Sequence, residues 1–206
     1  MNLVSYALTT LNDVKTFLGI SSTAHDEVLK FLINQATDYI ETFTGRRYTS
    51  TTYTQEEYDG TGTSELRLKH FPVVTFTLLE VNRATDNSDD WATIDAEDYW
   101  VNSENGIVTL QSGFLDYDEV NETGLSPNIF QKSKNKYRAT YTAGYTTVPY
   151  DLQYACCMIV SETFNVRKAA GIQSESLGDH SVTFGNLLEK STTLKNILSG
   201  YKDYEI

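Results

Sequence analysis

The spacing of apolar residues changes twice along this chain, and these changes constrain the fold more than any other feature of the sequence. Up to about residue 47, and again from residue 146, apolar residues recur every three to four positions, the period of an amphipathic helix. Between residues 48 and 145 the period is two, and Tyr, Thr, Val and Phe dominate, as in strands. The sequence therefore predicts an α+β fold: a helical frame, 1–47 and 146–206, with an inserted antiparallel β-sheet or small β-barrel, 48–145.

Two helices are predicted before residue 47. Thr10 suits the N-cap of the first helix and Gly19 its end, whereas Ser22 or Thr23 is expected to cap the second helix, which Gly45 ends. The side chains expected to face the core are Leu11, Val14, Phe17, Leu18, Val28, Phe31, Leu32, Ala36, Tyr39, Ile40 and Phe43.

A long helix is predicted from Pro149, which suits a first helical turn, to about Ala170. Its predicted core face consists of Leu152, Ala155, Cys156, Ile159, Thr163 and Val166. Cys156 and Cys157 are adjacent, so we interpret them as small buried apolar residues and not as a disulfide or part of a zinc site. A short, weaker helix is expected over residues 191–200.

Six segments with strand patterning, separated by turn signals, predict five to seven antiparallel strands. These segments are 47–60, 64–71, 74–81, 98–102, 106–111 and 136–144. Residues 112–136 are polar and lack strand signals, which predicts a long loop. "HSVTF", residues 180–184, is expected to form a short strand.

The net charge of −12 is unevenly distributed. Residues 51–145 hold 16 Asp and Glu against 7 Lys and Arg, a difference of −9. Such a surface repels phosphate and argues against reading the grooves of DNA or RNA, but it is compatible with surrounding DNA without gripping it. The longest apolar run, 155–160, is far shorter than a membrane span, and the first ten residues lack a secretion signal. We expect a protein made in a cytoplasm, with no membrane partner.

No cofactor or metal is expected. "GTGTSE", residues 60–65, has Glu65 where a dinucleotide-binding fingerprint needs its third glycine, and a strand follows it where that motif requires a helix. His25, His70 and His180 are scattered, without the spacing that chelates a metal.

The residue types of hydrolytic enzymes are present, but their patterning does not favour catalysis. The acidic clusters are Glu56 with Glu57, Asp89 with Asp90, and Asp95 with Glu97 and Asp98. Two such acids beside Trp91 and Trp100 could serve a glycosidase, but acids bunched in turns are typical of a solvated edge. Ser174, Ser176 and His180 lack the elbow motif of a serine nucleophile. The sequence therefore predicts that the protein is not an enzyme.

Several segments together resemble the head-tail connector (adaptor, or head-completion) proteins of tailed bacteriophages, in particular the gp6-like family. The resembling stretches are "LTTLNDVKTFLGI", "VLKFLINQATDYIETFTGRRY", "YDGTGTSELRLKHFPVVTFTLLEV" and "YTAGYTTVPYDLQYACCMIVSETFNVRKAAGIQSESLGDHSVTF". They cover about residues 8–82 and 137–184, whereas residues 83–136 depart from the short helical members. The resemblance implies a virion structural protein of the neck, at the head-tail interface, which completes the head.

The resemblance also implies partners. It suggests a homo-oligomeric ring, typically a dodecamer, that docks beneath the portal protein, contacts a stopper or tail-completion protein, and lets double-stranded DNA pass without specific binding. The stretch after the long helix and the tail beyond it would then contact the portal and neighbouring subunits. The residues predicted to dock are Gly171, Ile172, Ser176, Leu177, Val182, Phe184, Leu194 and Leu198.

Three other functions remain open from the sequence. The first is a tail terminator or stopper, which would also form a ring but would contact the tail tube. The second is an acidic DNA mimic that inhibits a nuclease, although the acids cluster in the middle third of the chain. The third is a carbohydrate-binding module built around Trp91 and Trp100.

Overall fold

Helices come first along the chain, strands follow and helices return, as the changes in apolar periodicity predict. A computed structural model describes residues 2–84, 88–111, 129–170 and 191–202, with only the backbone for 168–170. The elements are α1 (Leu11–Leu18), α2 (Asp26–Thr44), β1 (Thr51–Tyr58), β2 (Glu65–Arg67), β3 (Val73–Asn82), β4 (Trp91–Ile94), β5 (Tyr99–Asn102), β6 (Ile107–Leu110), β7 (Tyr137–Ala143), α3 (Tyr150–Ala170) and α4 (Thr192–Tyr201). The α+β class with its antiparallel sheet is confirmed.

The chain divides into two compact units. Residues 1–49 and 146–206 form a helical unit, and residues 50–145 form a β unit. None of the helices in the described ranges is long and apolar enough to span a bilayer.

Helix α1 begins and ends where the sequence predicts. The Thr10 side chain accepts a hydrogen bond from the Asp13 N–H at 3.1 Å, which satisfies one of the free donors of the first turn. At Gly19 the backbone adopts φ of 65°, a left-handed conformation that glycine reaches without a steric cost.

The predicted cap of α2 is wrong. His25 occupies the cap position without a side-chain hydrogen bond, and the helix begins at Asp26. The Ser22 hydroxyl accepts a hydrogen bond from the Ala24 N–H, and the Thr23 carbonyl accepts one from the Asp26 N–H. Ser22 and Thr23 therefore form a separate turn before the helix. A short hydroxyl side chain can accept a hydrogen bond from a backbone N–H of such a turn as readily as from one in the first turn of a helix.

The buried face of α2 is rotated relative to the prediction. Leu29 and Ile33 are fully buried although neither was expected to face the core, whereas Phe31 is 50% exposed. The prediction for Phe17 on α1, which is 45% exposed, also fails. Because α2 packs against α1, α3 and α4, the positions of three neighbours decide which face is buried.

Helix α3 forms the core of the helical unit. Leu152, Ala155, Cys156 and Ile159 are buried as predicted, and the further buried residues are Cys157, Val160 and Phe164. Thr163 and Val166 are only half-buried. The two cysteines are free and buried, in agreement with the prediction, and burial raises the pKa of the Cys156 thiol to about 12.

The last helix, α4, is confirmed. The Ser191 hydroxyl accepts a hydrogen bond from the Leu194 N–H at 3.2 Å and caps the helix. Leu194 and Leu198 lie one turn apart on the face that is buried in the helical unit, where α4 contacts α2 and α3.

The β unit contains two antiparallel sheets. Their strand orders are β1-β7-β3-β4 and β2-β6-β5. Strand β4 was not predicted, because it follows an acidic stretch that reads as a turn. In the described part of the chain the strands do not close into a barrel. The segment 129–136 contains no regular strand, and Phe130 is fully buried there.

The β unit begins and ends on neighbouring strands. β1 pairs with β7 from Thr51, opposite Ala143, to Tyr58, opposite Tyr137. The Ser50 N–H donates to the Tyr145 carbonyl at 3.1 Å just beyond this pairing. The two ends of the β unit therefore lie side by side, which is the geometry that an insertion between two helices requires.

Candidate functional site

A partly buried carboxylate, that of Glu56, lies at the centre of a polar cluster in the β unit. A bulge in β1, at which Gln55 has φ of 52°, shifts the alternation of side chains so that Tyr53, Glu56 and Tyr58 point inward. Tyr141 on β7 donates its hydroxyl to Glu56 Oε2 at 2.7 Å, and Tyr58 donates to the same oxygen. The two phenol oxygens lie 2.8 Å apart.

Two basic side chains approach the other oxygen of Glu56. His70 Nε2 lies 3.5 Å and Lys69 Nζ 3.8 Å from Glu56 Oε1. The His70 ring stacks on Tyr53 with centroids 3.8 Å apart and an interplanar angle of 9°. The backbone therefore brings β1, β7 and the residues after β2 together around one carboxylate.

The electrostatics of this cluster favour a fixed ion and not a proton carrier. Burial raises the pKa of Glu56, but hydrogen bonds from His70, Tyr141 and Tyr58 outweigh burial and lower the pKa to about 2. Burial, and then the hydrogen bond to Glu56, raise the pKa values of the Tyr58 and Tyr141 hydroxyls. A general base needs a pKa near the working pH, so this cluster suits a structural role.

Two further acidic residues of the β unit, Glu80 and Asp89, accept hydrogen bonds from side chains. Glu80, which is buried, accepts two hydrogen bonds from the Arg138 guanidinium, at 2.6 and 2.7 Å. The guanidinium carbon of Arg138 lies 4.2 Å from the centroid of the Trp91 ring, and Trp91 Nε1 donates to Asp89. One face of this indole is therefore occupied. Trp100 is 56% exposed.

The histidines, like the acids, are not gathered into a metal site in the described ranges. His25 packs edge-on against Phe164, with ring centroids 5.3 Å apart, and His70 belongs to the Glu56 cluster. Among the described residues, no three His, Cys, Asp or Glu side chains lie together in a way that could hold a metal ion.

Exposed aromatic side chains mark one surface of the helical unit, which we call the aromatic patch. It consists of Phe17, Tyr150 and Tyr154, which are 45%, 84% and 45% exposed. Phe17 packs edge-on against Tyr154 with centroids 5.9 Å apart. These rings border a groove between α1 and α3 whose other lining residues are Thr9, Asp13, Thr16, Gln153 and Cys157. Exposed apolar groups gathered in this way are typical of protein–protein contacts.

A second apolar depression, which we call the cationic groove, lies between α2 and α3. Its lining consists of Glu27, Val28, Phe31, Leu32 and Arg167. Phe31 is half exposed, and Glu27 binds Lys30 at 2.9 Å. The guanidinium of Arg167 therefore lies beside an apolar floor, with the acid of the groove already held in an ion pair.

Most residues predicted to dock fall outside the described ranges. These are Gly171, Ile172, Ser176, Leu177, Val182 and Phe184, and the candidate nucleophiles Ser174 and Ser176 and the base His180 lie there too. Leu194 and Leu198 are described, and both are buried. The aromatic patch and the cationic groove were missed, because the helical period assigned Phe17 and Phe31 to the core.

The sequence of the chain matches a known protein family. A family model described as head completion protein matches residues 7–204. No curated protein matches the sequence.

The fold is similar to chains from gene transfer agent (GTA) particles. One chain from the virion of the native particle is 14% identical with a TM-score of 0.58, and the alignment covers 100% of this chain and 95% of that chain. A chain from the neck of the empty particle, computed with C6 symmetry, is 13% identical with a TM-score of 0.54 and the same coverage. A chain from the neck of the native particle, computed with C12 symmetry, is 12% identical with a TM-score of 0.53, covering 100% and 94%.

Proposed function

The chain belongs to the head completion protein family, and from that premise we propose that it is a structural protein of the neck of a tailed phage or related particle. In this role it joins the capsid to the tail. Its copies form a closed ring beneath the portal protein, and the ring continues the channel through which double-stranded DNA passes.

The observation that carries this proposal is the extent of the family match. Residues 7–204 include most of the helical unit, the whole β unit and the stretch of sequence between α3 and α4. The similar folds come from particles whose necks were computed with C6 and C12 symmetry, which supports a ring of twelve copies.

The surface chemistry agrees with a conduit. A protein that lines a DNA channel should not hold the polyanion, and a chain with a net charge of −12 repels the phosphates of DNA. Copies in a closed ring contact each other through two different surfaces, because each copy has two neighbours related by the same rotation. The aromatic patch and the cationic groove are two such surfaces on the helical unit.

Docking to the portal is assigned to the stretch after α3. Ile172, Leu177, Val182 and Phe184 supply apolar side chains there within an otherwise polar sequence, and Gly171 and Ser176 are their neighbours. Leu194 and Leu198 are buried, so their contribution to docking would be to hold α4 in position. The partner on the tail side is a stopper or tail-completion protein.

Negative-stain imaging of the purified protein mixed with portal rings from its own genome tests this function. We expect a second ring stacked on the portal in the mixture, and none when either protein is imaged alone. Bare portal rings beside free subunits would overturn the adaptor role. A ring bound to tail tubes and not to portals would instead assign the chain to the tail terminator or stopper class.

A further inference from the structure

We propose that neighbouring copies of the chain contact each other head to tail, with the aromatic patch of one copy bound in the cationic groove of the next. This inference rests on the ring of the proposed function, and it names the two surfaces that would form each subunit contact.

The two surfaces lie toward opposite ends of α3. Tyr150 and Tyr154 belong to its first turns, and Arg167 lies near its C-terminal end. A separation of 13 residues, from 154 to 167, corresponds to about 20 Å at roughly 1.5 Å per residue. One helix therefore presents two distinct binding surfaces within the same compact unit. This arrangement suits a subunit with two neighbours, whereas a symmetric pair would use one surface twice.

The charges of the two surfaces are opposite. Asp13 lines the groove of the aromatic patch, and Asp151 directly follows Tyr150. Asp13 accepts a hydrogen bond from the Thr10 hydroxyl, and Asp151 accepts hydrogen bonds from the Tyr201 hydroxyl and the Leu152 N–H, so these donors are neutral. The cationic groove carries Arg167 and Glu27, and Glu27 is paired with Lys30, so the positive charge of Arg167 is the one left over. In a chain with a net charge of −12, most contacts between copies are repulsive, and pairing these two surfaces brings opposite charges together.

The apolar parts of the two surfaces are also complementary. The most exposed aromatic residue described, Tyr150, is 84% exposed and can bury its ring while its hydroxyl keeps a polar partner. The groove offers Phe31 and Val28 as an apolar floor and the planar guanidinium of Arg167 at its side. A guanidinium over an aromatic ring and a phenol inserted among apolar side chains are frequent at the centres of interfaces.

Disulfide trapping between two variants, each with one added cysteine, tests the contact. Thr16→Cys places a thiol beside the aromatic patch, and Glu27→Cys places one beside the cationic groove. Both positions are exposed, and Cys157, which lines the patch, is replaced by Ala in both variants. The two proteins are mixed in equal amounts and oxidised mildly, and intact mass spectrometry counts the mixed and the like dimers. The Cys157→Ala background without an added thiol is the control for the remaining buried Cys156.

The proportion of mixed dimers decides the result. The dimer counts are corrected for the reactivity of each thiol with glutathione. If the two thiols couple at random, half of the dimers are then mixed. The head-to-tail contact predicts a mixed fraction well above half. Adding Arg167→Glu to the Glu27→Cys variant should lower the mixed fraction toward half, and adding Asp13→Arg to the Thr16→Cys partner should restore part of the excess.

Two results would overturn the contact. One is a mixed fraction of half, and the other is an excess of Thr16→Cys dimers, which would indicate a symmetric contact between two aromatic patches. The neck role is tested separately on portal rings. If rings form on the portal but disulfide trapping is random, only the proposed subunit contact is contradicted. If head-to-tail dimers are trapped but the portal rings remain bare, only the neck role is contradicted.

Discussion

Tyr141 on β7 donates its hydroxyl to the carboxylate of Glu56 on β1, and the two residues are 85 positions apart in the sequence. The contact joins the first and last strands of the β unit, which pair side by side. It therefore connects these two strands through a side-chain hydrogen bond as well as through the backbone hydrogen bonds of the sheet.

Removing the Tyr141 hydroxyl should destabilise the β unit. In Tyr141→Phe, the partly buried Glu56 carboxylate loses a donor, which we expect to cost about 1–3 kcal/mol of unfolding free energy. Urea denaturation followed by fluorescence measures this loss. Tyr150→Phe is the matched control, since it deletes a phenol hydroxyl from a residue that is 84% exposed and should change stability by less than about 0.5 kcal/mol. Equal effects in the two variants would contradict a structural role for the cluster.

The Glu56 carboxylate should make stability depend on acid pH. Its pKa is lowered from 4.5 to about 2 in the folded protein, so its stabilising contribution is present above pH 4.5 and is lost as the pH falls toward 2. Glu56→Gln removes that contribution, and the difference in unfolding free energy between the original chain and this variant should shrink as the pH falls from 5 to about 2. Denaturation curves across this range provide the measurement. A difference that does not change with pH would show that Glu56 is not held ionised.

The aromatic patch should matter for assembly and not for folding. Phe17→Ser together with Tyr150→Ser changes residues that are 45% and 84% exposed, so we expect a loss of stability below about 1 kcal/mol and the loss of stacked rings on the portal. Val14→Ala is a contrasting variant on the same helix: Val14 is fully buried, and its truncation should lower the unfolding free energy by about 1–3 kcal/mol. Normal rings from the Ser variant would exclude the patch from the subunit contact.

The stretch after α3 should be required for docking but not for the core. Replacing Val182 and Phe184 by Asp should abolish binding to the portal and leave the unfolding transition unchanged. Leu194→Ala should instead lower the unfolding free energy of the helical unit by about 2–5 kcal/mol, because Leu194 is 1% exposed. Co-sedimentation with portal rings and thermal unfolding separate the two effects. Unchanged docking by the variant with Asp at 182 and 184 would contradict the assignment of portal docking to this stretch.

The β unit is proposed to be a folding domain. Residues 50–145 expressed alone should give a cooperative thermal transition and a β-type circular dichroism spectrum, because their two ends lie side by side and their core is internal. Val81→Asp, which buries an unpaired charge, should abolish the transition. An isolated segment that unfolds without cooperativity would show that it depends on the helical unit.

Several elements could be predicted from local sequence alone. Thr10 and Gly19 delimit α1 because a cap and a left-handed terminus depend on residues within one turn. Strand β4 was missed because four residues after an acidic turn give too short a pattern to identify a strand. The Glu56 cluster could not be predicted, because the bulge at Gln55 decides whether that side chain faces the core or the solvent.

By itself the sequence determined where the chain is helical and where it is extended, and what charge it carries, because periodicity and composition are local properties. Only the tertiary structure decided which apolar side chains are buried. An amphipathic helix has the same pattern whether its apolar face meets its own core or another protein, so Phe31 and Leu29 cannot be distinguished until the neighbours of α2 are in place. The pairing of Glu56 with Tyr141 was also decided there, because it depends on the register of two strands distant in the chain.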